Sequence, residues 1–213
     1  MKKYYGEETE KALQNFPFSM HRAQKSLIYA IVLVKKAAAA ANVEAGNFSK
    51  EIGDAIIDAC DEIAQGKFDD QFVTPALQGG AGTSINMNVN EVLAARATEL
   101  LSEKGVSTPV HPLDHVNRSQ STNDVNPTGL KIACIEGVKQ VQKSISSLVV
   151  AFESKAQELK DIPKLGRTHL QDAVPTTFGA EFASYTAIIK RDQKRITDVT
   201  PYLYEVNLGG TAI

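Results

Sequence analysis

The chain of 213 residues is 43% apolar and carries a net charge of −2, which permits a sizeable buried core and supplies no basic field for nucleic acid or an anionic membrane. Its two cysteines, Cys60 and Cys134, fall on apolar faces of expected helices, where they behave as small hydrophobes rather than as a disulfide framework. Met1-Lys2-Lys3 runs into Tyr4, Tyr5, Gly6 and two glutamates instead of a signal core, and the longest apolar run, Leu27 to Val34, is too short to cross a bilayer. A cytoplasmic protein is expected.

Residues 21–45 hold no glycine or proline and include five consecutive alanines, which predicts a long helix. Ser49 is then a candidate N-cap. Ile52, Ala55, Ile56, Ala59 and Ile63 share one face behind it, and Gly66 supplies a stop, so a second helix is expected. Residues 85–104 read as a third, closed by Gly105. Pro127 suits the first turn of a fourth helix, whose apolar residues Leu130, Cys134, Val138, Val141, Ile145, Leu148, Phe152 and Leu159 form the seam of a long bundle helix. A second seam runs through Phe178, Phe182, Tyr185, Ile189, Ile196, Val199 and Leu203. At 1.5 Å per residue each helix would be about 40–50 Å long.

No strand-like alternation of useful length is visible, so the expected fold is mostly α. The two seams make only half of a bundle. The chain is therefore expected to be a portion of a longer polypeptide or to be completed by another chain.

Three stretches are rich in small polar residues. The first, Gln78-Gly79-Gly80-Ala81-Gly82-Thr83-Ser84-Ile85-Asn86, combines glycines that let backbone approach a ligand with hydroxyls and open N–H groups at a helix start, which suit an anion; a capped turn is the plain alternative. No Gly-Lys-Ser/Thr follows, so it is not a nucleotide loop. The second is His111-Pro112-Leu113-Asp114-His115-Val116-Asn117-Arg118-Ser119-Gln120-Ser121-Thr122-Asn123-Asp124. Its two histidines invite a zinc reading, but Pro112 disfavours a regular helix and no third ligand stands nearby, so no metal site is assigned. Ser121, Thr122 and Asn123 suit a carboxylate or amine, or else a helix cap. The third, Gly166-Arg167-Thr168-His169-Leu170-Gln171-Asp172-Ala173-Val174-Pro175, gathers a cation, a hydroxyl, an imidazole and an acid between the two seam helices.

Together these stretches resemble the signature regions of the fumarase/aspartase superfamily, in order and over essentially the whole chain. Tyr4-Tyr5-Gly6 with Asn15-Phe16-Pro17 resembles the family's opening segment, Gly80 to Asn90 its first active-site region, Ser119 to Asp124 its second and Gly166 to Pro175 its third. Asn207-Leu208-Gly209-Gly210-Thr211-Ala212-Ile213 resembles a segment that lies mid-chain in the family. Ser121-Thr122-Asn123-Asp124 and Thr168-His169-Leu170-Gln171-Asp172 are most similar to the aspartase branch, whereas fumarases more often have serine at Thr122 and threonine at Leu170. Two positions depart from the pattern: Leu113 stands where His-Pro-Asn-Asp has asparagine, and Lys11 stands where arginine is common, which keeps the charge but loses the bidentate fork.

The resemblance implies elimination of ammonia from L-aspartate to fumarate through an aci-carboxylate, with malate and fumarate hydration as the alternative chemistry. It implies a substrate-binding set of Thr83, Ser121, Thr122, Asn123, Thr168 and His169, with His169 in a binding and electrostatic role rather than as the base. The family's base is a serine in a mobile Gly-Ser-Ser loop followed by a lysine and an asparagine, none of which lies in residues 1–213. Residues 1–124 are expected to be the N-terminal helical domain and 125–213 the first part of a central bundle, in a homotetramer whose sites draw on several subunits. No cofactor is implied, although some relatives are stimulated by a divalent metal. A reading of another class is a non-catalytic assembly module that needs a complementary chain.

Overall fold

The described residues of the computed structural model, 2–17 and 21–210, form six α-helices and one two-stranded antiparallel sheet, joined by short 3₁₀ and π turns. The mostly α expectation holds. Thr211, Ala212 and Ile213, the end of the last motif, lie outside the described residues. The chain divides into two compact units, residues 1–133 with 206–213, and residues 134–205.

In the first unit, α1 (Glu7–Asn15) was not foreseen from the sequence. Its start is held from elsewhere: the buried Glu91 carboxylate accepts the N–H groups of Gly6 at 2.9 Å, Glu8 at 2.9 Å and Thr9 at 3.2 Å, and the Thr9 hydroxyl at 2.5 Å. A carboxylate at the positive end of a helix, taking its orphan N–H groups, satisfies both partners. Gly6 is required there, since a Cβ would sit 2.9 Å from Glu91 Oε1.

Helix α2 (Lys25–Glu44) begins four residues later than the glycine-free run allowed, and α3 (Lys50–Ala64) lies where the periodicity placed it. Ser49 Oγ accepts the Ile52 N–H at 3.5 Å, and Gly66 ends the turn after α3 with φ +88°. Helix α4 (Thr83–Glu103) completes the core with α2 and α3. Ile31, Ile56, Ile63, Leu93 and Leu101 are essentially fully buried between them, each contributing about 1.5–3 kcal/mol. By length and composition α2 could cross a membrane, which the Leu27–Val34 run alone does not reveal; here it lies against α3 and α4 with Ile28, Ile31 and Val32 buried, as a core helix does. Arg96 ties α3 to α4 by reaching Glu62 at 2.5 Å, Glu99 at 2.6 Å and Glu103 at 3.1 Å.

Helix α5 (Thr122–Glu158) starts before Pro127, not at it. Proline in the helix removes the bond to the carbonyl four residues back, that of Asn123, and this carbonyl is taken instead by Asn207 Nδ2 at 2.7 Å. Gly129 lets the start of α5 close on α2, where a Cβ would meet Ile31 Cγ1 at 2.7 Å.

In the second unit α5 runs beside α6 (Phe178–Val199), with Phe152 against Phe182 at 5.7 Å and Tyr185 at 6.0 Å between ring centres. Gly179 permits the crossing, because a Cβ there would lie 2.4 Å from Lys160 Cα. The link between the helices corrects the sequence reading: it is a β-hairpin, β1 (Pro163–Thr168) paired with β2 (Gln171–Thr177), where no strand was expected. Neither strand buries a face, so no apolar alternation marks them. Seam residues Leu130, Val141, Leu148, Tyr185 and Val199 are exposed in the single chain, as is Cys134, whereas Cys60 is buried and its thiol is pushed up to about 12 by desolvation.

Candidate active site

The glycine stretch forms the turn that leads into α4. Gly80 and Gly82 adopt φ +80° and +88°, and Gly82 is the N-cap of α4 with no side-chain cap, leaving the N–H groups of Thr83 and Ser84 open at the helix start. Gln78 braces the turn by accepting the Ile85 N–H at 3.2 Å and donating to the Pro75 carbonyl at 2.7 Å. Thr83, exposed, lines a small cavity of about 150 Å³ with Ser84, Met87, Glu8, Lys11 and Asn15. Lys11 is committed to Glu8 at 2.8 Å and Glu7 at 2.9 Å; hydrogen bonds to these carboxylates, Glu8 first, hold its ammonium above the ordinary lysine range.

Ser121 is both cap and candidate ligand. Its Oγ accepts the Asn123 N–H at 3.1 Å while its own N–H goes to Asp124 Oδ2 at 3.1 Å, a reciprocal capping box at the start of α5. The capping alternative is therefore real, but it occupies only a lone pair of the hydroxyl, and the O–H can still donate. The two helix starts are tied together: Asn126 Nδ2 donates to the Ala81 carbonyl at 2.9 Å, and Asn86 Nδ2 donates to Thr122 Oγ1 at 3.1 Å. Gly82 sits so close to Asn126 that a Cβ would meet its Nδ2 at 1.3 Å. Between them opens a cleft of about 370 Å³ lined by Leu27, Ala81, Gly82, Asn123, Asn126, Pro127 and Leu130.

Behind Thr122 lies a buried polar layer that the motifs did not announce. Lys35, 0% exposed, donates from Nζ to Asn117 Oδ1 at 2.7 Å, and the same oxygen accepts Asn86 Nδ2 at 3.1 Å and Asn90 Nδ2 at 3.2 Å. Asn117 Nδ2 donates to the carbonyl of Gln120, the residue before Ser121, at 2.9 Å. Desolvation pulls the Lys35 ammonium down to about 7.

Thr168 and His169 belong to the second unit, at the tip of the hairpin. Thr168 pairs with Gln171, so His169 and Leu170 alone make the turn, with φ +48° and +62°. Two successive left-handed residues define the turn that glycine and asparagine prefer, and their occurrence at His169-Leu170 is a locally strained geometry of the kind that collects at functional sites. Leu170 is 92% exposed. The pair His111 and His115 has local work: His111 Nδ1 accepts the Leu113 and Asp114 N–H groups at 3.3 and 3.1 Å, and His115 Nδ1 accepts the His111 N–H at 2.8 Å. Burial holds the His115 imidazole below its ordinary value.

A family of lyases matches residues 1–213, the whole chain. The chain belongs to the fumarase/aspartase superfamily of lyases. It is 46% identical to the aspartate ammonia-lyase of Bacillus subtilis over 211 residues, which is 99% of this chain and 44% of that protein. It is 45% identical to the class II fumarate hydratase of Myxococcus xanthus over 211 residues, 98% of this chain and 45% of that protein. Among solved structures, a fumarate lyase (delta crystallin) from Brucella melitensis in native form superposes with a TM-score of 0.89 at 44% identity, covering 98% of this chain and 49% of that one. The chain thus spans about half the length of the relatives it matches.

In this lyase chain the structure gathers Thr83, Ser121, Thr122 and Asn123 at two linked helix starts of one unit, and carries Thr168 and His169 on the other. Sequence reasoning missed Lys35 and Asn126, and quoted Asn86 and Asn117 within its polar stretches without singling them out. A signal for Lys35 was present: it falls in register with Ile28, Ile31, Val32, Ala39 and Asn42 on the buried stripe of α2.

Proposed function

We propose that the protein carrying this chain is an aspartate ammonia-lyase, which reversibly eliminates ammonia from L-aspartate to give fumarate. The supporting observation is that two helix N-termini, at Gly82-Thr83 and at Ser121-Thr122-Asn123, are tied together through Asn126 and Asn86, with hydroxyls at both starts. Proton loss beside the β-carboxylate puts a second negative charge on that group, and open N–H groups with preoriented hydroxyls are suited to stabilise it. Each such donor is worth about 3–4 kcal/mol in the transition state.

On this reading Thr83, Ser121 and Thr122 hold the β-carboxylate and Asn123 helps place the amine. Thr168 and His169 approach from another copy of the chain, His169 as a donor and electrostatic partner. Residues 1–124 act as the N-terminal domain and those from 125 onward as the start of a central bundle. The protein is a cytoplasmic homotetramer. The exposed seam residues Leu130, Leu148, Tyr185 and Val199 support assembly, because apolar stripes of this kind are seldom left in water.

Fumarate hydration is the second reading, favoured by the near-equal identity to a fumarate hydratase. Absorbance of fumarate, followed in the full-length protein with aspartate and with malate, separates the two. Turnover of aspartate supports the first reading; turnover of malate alone rejects it. Turnover of neither returns the chain to a non-catalytic assembly role.

A further inference from the structure

An ammonium buried against a neutral amide is a poor way to stabilise a fold. A methionine of similar length at position 35 would fill the same space without the desolvation cost, and replacing buried charge by packed hydrophobe is often neutral or stabilising. Lys35 nevertheless sits 0% exposed on the core stripe of α2, with Asn117 Oδ1 at 2.7 Å as its hydrogen-bond partner.

What the lysine does supply is direction. Carboxamides can be reversed end for end, and a chain of them has no inherent polarity. The lysine amine donates from Nζ to Asn117 Oδ1 at 2.7 Å, which holds that oxygen, rather than the amide nitrogen, toward it. The Asn117 amide nitrogen is then turned to the Gln120 carbonyl at 2.9 Å, immediately before Ser121. Asn86 must meet the Asn117 oxygen with its own nitrogen, at 3.1 Å, and the same nitrogen lies 3.1 Å from Thr122 Oγ1. With a lone pair of Thr122 occupied by that donor, its O–H is free to point away from the layer, outward from the start of α5.

We propose that Lys35 is a positioning residue for the elimination: through Asn117 and Asn86 it orients the Thr122 hydroxyl as a donor to the substrate carboxylate. This rests on the lyase reading above. Lys35 touches no substrate, and its part is to fix the polarity of the amide chain that does the orienting. A structural lysine and a positioning lysine differ in sign on stability, which makes them separable.

The test compares wild-type full-length protein with Lys35→Met and Lys35→Gln for thermal midpoint, kcat and KM with aspartate and malate. For Lys35→Met the midpoint should stay level or rise, while kcat falls at least about 10-fold, in keeping with loss of a preorganised donor, and KM changes less than about 3-fold. Lys35→Gln, which can donate to Asn117 but can also reverse, should fall between the two. Unchanged kcat in a folded Lys35→Met overturns the proposal, as does a kcat that drops only in proportion to the folded fraction. Failure of both variants to fold also overturns it, since it would make Lys35 structural. If the wild type turns over neither substrate, the lyase reading falls and this proposal with it; an active wild type with an equally active Lys35→Met sinks the proposal alone.

Discussion

Asn207 Nδ2 donates to the Asn123 carbonyl at 2.7 Å, replacing the helical hydrogen bond that Pro127 cannot make. The segment after the second seam thereby steadies the turn of α5 that carries Thr122 and Asn123. Asn207→Ala should cost about 0.5–1.5 kcal/mol in urea unfolding. Pro127→Ala restores an N–H for the same carbonyl, so Asn207→Ala should cost measurably less in that background. Equal costs in both backgrounds would show that the two residues are not coupled.

Gly82 holds φ +88° and has no room for a side chain, with Asn126 Nδ2 at 1.3 Å from an added Cβ. Gly82→Ala should destabilise by about 1–3 kcal/mol, combining left-handed strain with the displacement of Asn126 from the Ala81 carbonyl. Activity should fall further than stability, because the loop and the start of α5 move apart. A variant with wild-type melting and wild-type turnover would contradict this geometry.

His169 and Thr168 stand on an exposed hairpin tip with no part in a core. His169→Ala or Thr168→Val should leave the thermal midpoint nearly unchanged and lower turnover by about 10–100-fold. Replacing His169-Leu170 by Asn-Gly suits the turn better and should raise or preserve stability while removing the imidazole. Midpoint and activity collapsing together would assign the pair to folding instead.

Lys35 titrates near 7 in the folded chain against 10.5 as its ordinary value. Below about pH 7 it is charged in both folded and unfolded states, and the cost of burying it is present in full. From there toward 10.5 the unfolded chain binds the extra proton, so stability should rise with pH by about 1.4 kcal/mol per unit. Cys60 works the other way: with its thiol pushed up to about 12 from 9.0, it erodes stability once the unfolded thiol ionises above about pH 9. Denaturation between pH 7 and 9 should therefore show an upward slope in the wild type that Lys35→Met lacks. Identical slopes would mean that Lys35 is not buried as a titrating group.

The sequence by itself was enough for whatever depends on local chemistry. Ser49 and Gly66 bound α3 because a hydroxyl cap and a left-handed glycine act within a few residues. Gly80 and Gly82 before Thr83 mark a helix start for the same reason, Ser121, Thr122 and Asn123 offer a cap though not which of them acts, and the order of these motifs carried the family. Tertiary structure decided the rest. In Lys35-Lys36 two identical side chains follow one another, yet packing buries the first against Asn117 and leaves the second half-buried beside Asp61. Helix α1 depends on a carboxylate more than eighty residues away, at Glu91, which no local pattern reveals. The hairpin bearing His169 is held by strand pairing without a buried face, so it leaves no apolar alternation to read; only register, a property of two segments together, defines it.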